Sequence, residues 1–487
     1  MPAPILHVPS DAPELIAGLR RIRLDLKVPG PFSDAALAEA DAAAKTVLGG
    51  LDASAGRDRR DLRDQPFVTI DPAGSRDLDQ ALLLEARPGG GYRVQYAIAD
   101  VAAFVRPGGA LDLELWERGV TVYLPDERAP LHPDVLGVGA ASLLPDQDRA
   151  AVVWTIDLDA DGQTVGDPHL ERAIVRSRAQ LTYEGVQADV DAGRAEGSLA
   201  VLAVIGPLRQ RIEAERGGVS LDLPSQRVTL EADGYHLEHE PVVAAMGWNA
   251  QISLLTGMVA GTAMLQADVG ILRTLPPPPQ DVVTQVRTAA GALGVPWPAG
   301  ASYPDVVRGL ESDVPAQAAL LVMAARGLRG AGYLALTPAT PAPTERAVFQ
   351  HAAVAATYAH VTAPLRRLVD RYATEVCVGL LGGPPAPPEI VSRLSDLPKT
   401  MAHTTGREGG ASRAAVDLVE ALLLASHIGA EFEATVVAVD KGRSKVVIPD
   451  PAIETEMDGE LPLGQVVPVR VVATDSQART IDLDPVR

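Results

Sequence analysis

The chain has 487 residues, enough for about two to four domains with their own cores, and 47% hydrophobic with 22% charged residues is an ordinary globular balance. A net charge of −20 excludes a generic basic nucleic-acid coat, although it leaves room for a confined basic channel. One cysteine, Cys377, excludes a disulfide framework, reads as a small buried apolar residue, and fits a reducing compartment, so a cytoplasmic location is expected.

The start, Met1 to His7, lacks a basic segment followed by an apolar core, and no signal peptide is expected. Residues 1–60 read as a small helical module. Asp11-Ala12-Pro13-Glu14 opens an amphipathic run through Leu15, Ile16, Leu19, Ile22 and Leu26. Ser33 is placed to cap an Ala-rich helix from Asp34 to Leu48, which Gly49-Gly50 would end. A helix-turn-helix is one arrangement that fits. Arg20, Arg21 and Arg23 are either nucleic-acid contacts or a solvated face. Arg57 to Arg63 reads as a charged linker.

Three aspartates, Asp71, Asp77 and Asp79, then fall within nine residues. Such groups are often solvated turns. Carboxylates repel one another, however, and a packed cluster needs a cation; hard oxygen donors suit Mg²⁺ or Mn²⁺, which commonly act on phosphates. Phe67 to Ile70 reads as a strand ending at Asp71 and Pro72 to Ser75 as a turn. Leu78 to Leu84 reads as a second strand, with Asp77 and Asp79 sharing a face.

From about 65 to 180 strands dominate: Tyr92 to Val101, Thr121 to Pro125, and Ala151 to Leu158 ending at the Asp159-Ala160-Asp161-Gly162 turn. Helical periodicity governs about 180 to 425, broken by connectors at Leu275 to Pro279 and Gly382 to Pro388. Pro241 to Ala267 carries no charge, but Trp248, Asn249, Gln251, Ser253, Gln266 and three glycines interrupt it. A core helix is expected there, and no membrane span. The tail is different. Glu431 to Asp440 with Ser444 to Ile448, and Val466 to Thr474 with Ala478 to Leu483, read as two hairpins. Four or five strands in so short a stretch fit an oligonucleotide-binding barrel, and an SH3-like barrel gives similar strings.

Several of these strings together resemble the RNB family, the exoribonucleases of the ribonuclease II and ribonuclease R type. Asp71-Pro72 with Asp77 and Asp79 matches its acidic signature. Ala97 to Val105, Gly119 to Pro125 and Ala140 to Arg149 match further blocks in order, and Tyr358 to Arg367 resembles the arginine block that closes the site. The tail from about 428 looks like an S1 barrel. The resemblance spans roughly 64–487 and implies an α+β multidomain chain: a helical module over 1–60, an RNB domain over 61–427 with a mixed sheet wrapped by helices around a channel, and an S1/OB-type barrel over 428–487.

It also implies Mg²⁺-dependent (or Mn²⁺-dependent), processive 3′→5′ hydrolysis of single-stranded RNA from its 3′ ends to nucleoside 5′-monophosphates by a monomer. Asp71, Asp77 and Asp79 would be catalytic carboxylates and metal ligands, with Asp79 the most critical and Gln80 a fourth donor. Arg366 would hold the scissile phosphate beside Arg367. Tyr123 would stack on the 3′-terminal base, and Tyr183 would complete the substrate contacts.

Departures from the family pattern bear on function. Gln80 stands where an aspartate is usual, which weakens the case for a second ion. Leu368-Val369-Asp370 follows the arginines where an aromatic is usual. Val228 occupies a base-clamping position in the stretch Leu223 to Val228. The first 60 residues read as helices where relatives carry two cold-shock barrels, so a wider entrance tolerant of structured RNA is expected. Two other readings stand beside the exoribonuclease: an RNA-binding protein of the same fold with weakened catalysis, and an unrelated Mg²⁺-dependent phosphoesterase for a small substrate, against which the barrel argues.

Overall fold

The computed structural model describes residues 7–219, 226–239, 242–337, 346–450 and 452–486. Residues 60–176 supply a five-stranded mixed sheet. Its strands are β1 (Arg60–Leu62), β3 (Gln80–Ala86), β4 (Tyr92–Ala99), β7 (Asp148–Leu158) and β8 (Thr164–Arg176), in the order β1-β8-β7-β4-β3. β1 runs parallel to β8 and every other pair is antiparallel. Short strands outside it include β2 (Thr69–Ile70), parallel to Gln180–Leu181, and the paired β5 (Val122–Tyr123) and β6 (Arg128–Ala129). Alternation places Tyr96 opposite Trp154 and Trp154 opposite Leu170, and all three are buried at the sheet centre. The charge-free stretch is the helix Ala244–Ala267, which packs in the same core through Ile252, Leu255 and Ala260. No described helix is long and apolar enough to cross a membrane.

The tail forms five antiparallel strands in the order Ile453–Asp458, Arg443–Ile448, Glu431–Asp440, Val466–Asp475, Thr480–Pro485. The two outer strands approach one another and the sheet curls into a small barrel. Ile453–Asp458 was not among the strands legible in the sequence. The long helix Leu397–Ala425 leads into this barrel.

Several local expectations change. Ser33 does cap, accepting the Ala36 N–H at 3.2 Å, but the helix α2 (Asp34–Ser54) continues through Gly49-Gly50. The cost of two glycines in a helix is outweighed because α2 buries Ala36, Ala40 and Ala44 on the core of the sheet. The helix α1 (Pro13–Asp25) buries Leu15, Leu19 and Ile22 in a different core, shared with the long helix and the barrel. Gly18 permits that approach: a Cβ there would lie 2.5 Å from Leu418. The two helices therefore build no core of their own. The presumed linker Arg57 to Arg63 contributes β1 to the five-stranded sheet. Val228 lies on the hairpin strand Gln226–Leu230, while Leu223 to Ser225 fall outside the described residues.

Trp154→Ala empties the centre of the sheet and should cost about 3–5 kcal/mol. Urea unfolding followed by circular dichroism checks this; a midpoint unchanged from wild type would contradict the packing described.

Candidate active site

The three aspartates do not ride on one strand. Strand β2 ends at Ile70, strand β3 begins only at Gln80, and Asp77 and Asp79 lie in the extended segment between them. Side chains elsewhere hold that segment. Ser142 Oγ accepts the Leu78 N–H at 3.0 Å and donates to the Arg76 carbonyl at 2.7 Å, and Gln180 donates to the Ser75 carbonyl at 2.6 Å. Strand β3 starts two residues later than the sequence implied; the ladder still reaches Asp79, whose carbonyl accepts the Ala99 N–H at 2.9 Å, and Ser142 and Gln180 hold the segment before it.

Each carboxylate has a different environment. Asp79 is 4% exposed and accepts the Leu365 N–H at 2.7 Å; its other oxygen faces Arg366 Nε at 3.8 Å. Burial pushes it well above the ordinary carboxylate range, against the pull of Arg366 and the Leu365 N–H. Asp71 is pushed up to about 7 by burial and then by the charge of Asp77, and its Oδ2 is buried without a hydrogen-bond partner. Asp77 is the satisfied member: it accepts the Tyr123 hydroxyl at 2.8 Å and lies 3.6 Å from Arg128.

The arginine block is a loop gripped from several sides. Asp370 accepts the Ala363 N–H at 2.7 Å, and the Thr121 N–H donates to the Arg366 carbonyl at 3.0 Å. Gln80 donates its side-chain N–H to the Thr362 carbonyl. Arg366 emerges from this loop half exposed. With Gln80, Tyr183, Asn249, Gln251 and Arg308 it lines a cavity of about 700 Å³, a volume suited to a nucleotide-sized ligand. Arg367 is not among the residues that line this cavity; its guanidinium donates twice to Asp370, at 2.9 and 2.8 Å. Gln80 and Arg366 thus line the cavity, while Asp79 faces Arg366 from a buried position and Asp71 lies within the fields of Asp77 and Arg366. Tyr123 and Asp77 form a joined pair.

Sequence reasoning passed over four residues. Arg128 sits directly across the β5–β6 pair from Tyr123, and a five-residue spacing around Pro125 was its only signal. Ser142 lies inside a block quoted for its resemblance and carried no chemical flag. Glu408, on the long helix, is raised by burial and lies within the field of Arg366. His132 hydrogen-bonds the Leu365 carbonyl from more than 200 residues away, a contact no local pattern foretells.

The donor set fits a hard divalent cation. Asp71 keeps a buried carboxylate oxygen without a partner, and the desolvated Asp79 is only partly offset by Arg366 at 3.8 Å; a bound cation would supply further counter-charge to both. The three carboxylates are not gathered into one tight shell: among the described residues the group of ligand atoms lying within 4.8 Å of one another is Glu231, Asp233 and His236, on an exposed hairpin turn.

Comparison with known proteins assigns this architecture. The RNB domain matches residues 59–381, and the RNase II-type exonuclease C-terminal S1 domain matches 430–486. Ribonuclease R of Escherichia coli is 31% identical over 328 residues, covering 64% of this chain; the chain spans only 39% of that relative's length. Among solved structures, Mycoplasma genitalium RNase R in complex with ribose methylated single-stranded RNA superposes with a TM-score of 0.85 at 19% identity, covering 97% of this chain and 78% of that one. Yeast Ssd1, a pseudonuclease, superposes with a TM-score of 0.67 at 16% identity, covering 86% and 54%. The chain belongs to the RNB family of exoribonucleases, with its RNB domain followed by an RNase II-type S1 barrel.

Proposed function

We propose that the chain is a processive 3′→5′ exoribonuclease of the ribonuclease II type, hydrolysing single-stranded RNA to nucleoside 5′-monophosphates with Mg²⁺ or Mn²⁺. The observation that carries this reading is the buried Asp79 carboxylate, held by the Leu365 N–H and faced by Arg366 at 3.8 Å. Family membership and the RNA in the Mycoplasma neighbour support the substrate class.

Asp71, Asp77 and Asp79 would hold the cation, with the Gln80 side-chain oxygen as a neutral further donor. Once bound, Mg²⁺ supplies Lewis-acid polarisation of the scissile phosphate and a more acidic attacking water. Arg366 then donates to the phosphate oxygens, where a guanidinium can bind two at once. Tyr123 offers a half-exposed ring to the terminal base, and its hydroxyl bond to Asp77 fixes the ring relative to the carboxylates. Tyr183 borders the cavity and makes the second aromatic contact. Arg367 supports the site indirectly by neutralising Asp370, which holds the loop at Ala363.

A second reading, an RNA-binding protein with weakened catalysis, draws on two observations: an amide at position 80 already engaged by Thr362, and the likeness to a pseudonuclease. Incubating 5′-labelled poly(A) with Mg²⁺ and with EDTA separates the two. The nuclease reading predicts metal-dependent loss of full-length RNA to very short end products with 5′-monophosphates released. Asp79→Asn should abolish this while retaining RNA binding, and Arg366→Ala should slow it by about 100-fold or more. Binding without degradation would favour the second reading, and full activity in Asp79→Asn would overturn the site assignment.

The Asp71 shift adds a pH dependence. Its carboxyl rises from 3.8 to about 7 on folding, so between these values the metal-free folded chain keeps a proton that the unfolded chain has lost. This group's contribution to stability is complete below the lower value and is lost as pH rises through the upper one. Mg²⁺ binding near pH 6 should therefore release the Asp71 proton along with any that Asp79 holds, read by calorimetry in buffers of different ionisation enthalpy. Asp71→Asn should lower that release by about one proton; unchanged proton release in this variant would exclude Asp71 as a group involved.

A further inference from the structure

Arg366 points where it does because the peptide unit that carries its N–H is held at both ends. The Arg366 N–H donates to the Ala363 carbonyl at 3.2 Å. The oxygen of the same unit, the Leu365 carbonyl, lies 3.0 Å from His132 Nδ1. A carbonyl only accepts, so Nδ1 carries the proton. His132 is 1% exposed, and burial, with the Arg371 and Arg118 guanidiniums adding to it, pushes the imidazole down to about 4. The ring is therefore neutral at ordinary pH, with Nε2 unprotonated, and that nitrogen is buried without a hydrogen-bond partner.

Filling this space with an imidazole is costly, since half of its polar capacity goes unused. Leu131 and Leu136 nearby in the chain are fully buried, and a leucine at 132 would suit the same core. What the histidine adds is one directional hydrogen bond. Leu365 is consequently held on both of its polar atoms by side chains from distant segments: Asp79 accepts from its N–H and His132 donates to its carbonyl. The first bond ties the loop to the acidic cluster. The second sets the rotation of the unit that leads into Arg366, and so the direction of the Arg366 side chain.

We propose that His132 is a positioning residue for the phosphate-binding arginine, acting through the Leu365 carbonyl and without contact to substrate or metal. The proposal rests on the reading of Arg366 as the phosphate ligand. Its test compares His132→Leu, which keeps the bulk and removes the donor, with His132→Asn, whose side-chain N–H replaces that of Nδ1. His132→Leu should lower kcat by about 10–100-fold, as losses of outer supporting hydrogen bonds typically do. RNA affinity measured in EDTA should stay within about threefold, because the loss falls on the transition state. His132→Asn should recover most of the rate. Hydrogen exchange read by mass spectrometry gives a second measure that needs no catalysis: peptides spanning 362–368 should exchange faster in His132→Leu and near the wild-type rate in His132→Asn.

A wild-type kcat with wild-type exchange in His132→Leu overturns the proposal. So does an equal loss in both variants, which would make ring shape and not the hydrogen bond the cause. If the wild-type protein releases no nucleotide from RNA, the proposed function fails by that result alone. The exchange comparison then still decides whether His132 holds the loop.

Discussion

The site depends on one buried carboxylate. Asp79 joins the segment before strand β3 to a loop almost three hundred residues later, through a 2.7 Å bond from the Leu365 N–H and the facing charge of Arg366. Removing a carboxylate from water is expensive unless hydrogen bonds and opposite charge offset it. Here the offset is partial, and the group stays well above its ordinary titration range. An incompletely compensated carboxylate, sharing the field of Arg366 with Asp71, is arranged to receive positive charge. The surrounding scaffold serves that arrangement. Ser142 fixes the acidic segment; Thr121, Gln80 and Asp370 fix the arginine loop; and Gly119, with φ of 67°, leaves the close approach to Thr404 that a side chain would block.

The strong negative net charge and the need to bind a polyanion are reconciled locally. Arg366 and Arg308 line the cavity, whereas many other arginines are consumed in ion pairs. In the RNB domain, Asp100 is flanked by Arg59 and Arg172, and Arg172 reaches on to Glu375. In the barrel, Arg443, Lys445 and Arg470 each pair with acids on neighbouring strands. Its single aromatic, Phe432, is partly buried against the core it shares with the long helix. On the proposed function, the grip on RNA would therefore be concentrated at this cavity.

Much of this was legible in the sequence where the signal is local. The strand Glu431–Asp440 stands at the bounds that its alternation implies, and Ser33 caps as its chemistry requires. Asp71, Asp79 and Arg366 were identifiable because several weak strings occurred in one order. What escaped was set by distant partners. The strand starts at Gln80 and not Leu78, with Ser142 and Gln180 holding Ser75, Arg76 and Leu78 in the segment before it. Arg367 turns to Asp370 three residues on, a pairing that its neighbour Arg366 could equally have made by composition. Gly49-Gly50 do not end α2 because the alanines on its buried face outweigh them. His132 acts through a contact with no sequence spacing at all.

The Gln80 side chain sharpens the question of metal content. Its amide nitrogen is engaged by the Thr362 carbonyl, where an ionised aspartate would face another oxygen. The acidic cluster therefore carries less charge than three aspartates and a fourth acid would, and its cation affinity rests on Asp71, Asp77 and Asp79. Anomalous diffraction from crystals grown with Mn²⁺ tests this centre directly. The account predicts a peak bounded by the Asp71 and Asp79 carboxylates on the side that faces Arg366. No peak there at saturating Mn²⁺, or a peak only at Glu231, Asp233 and His236, would contradict it.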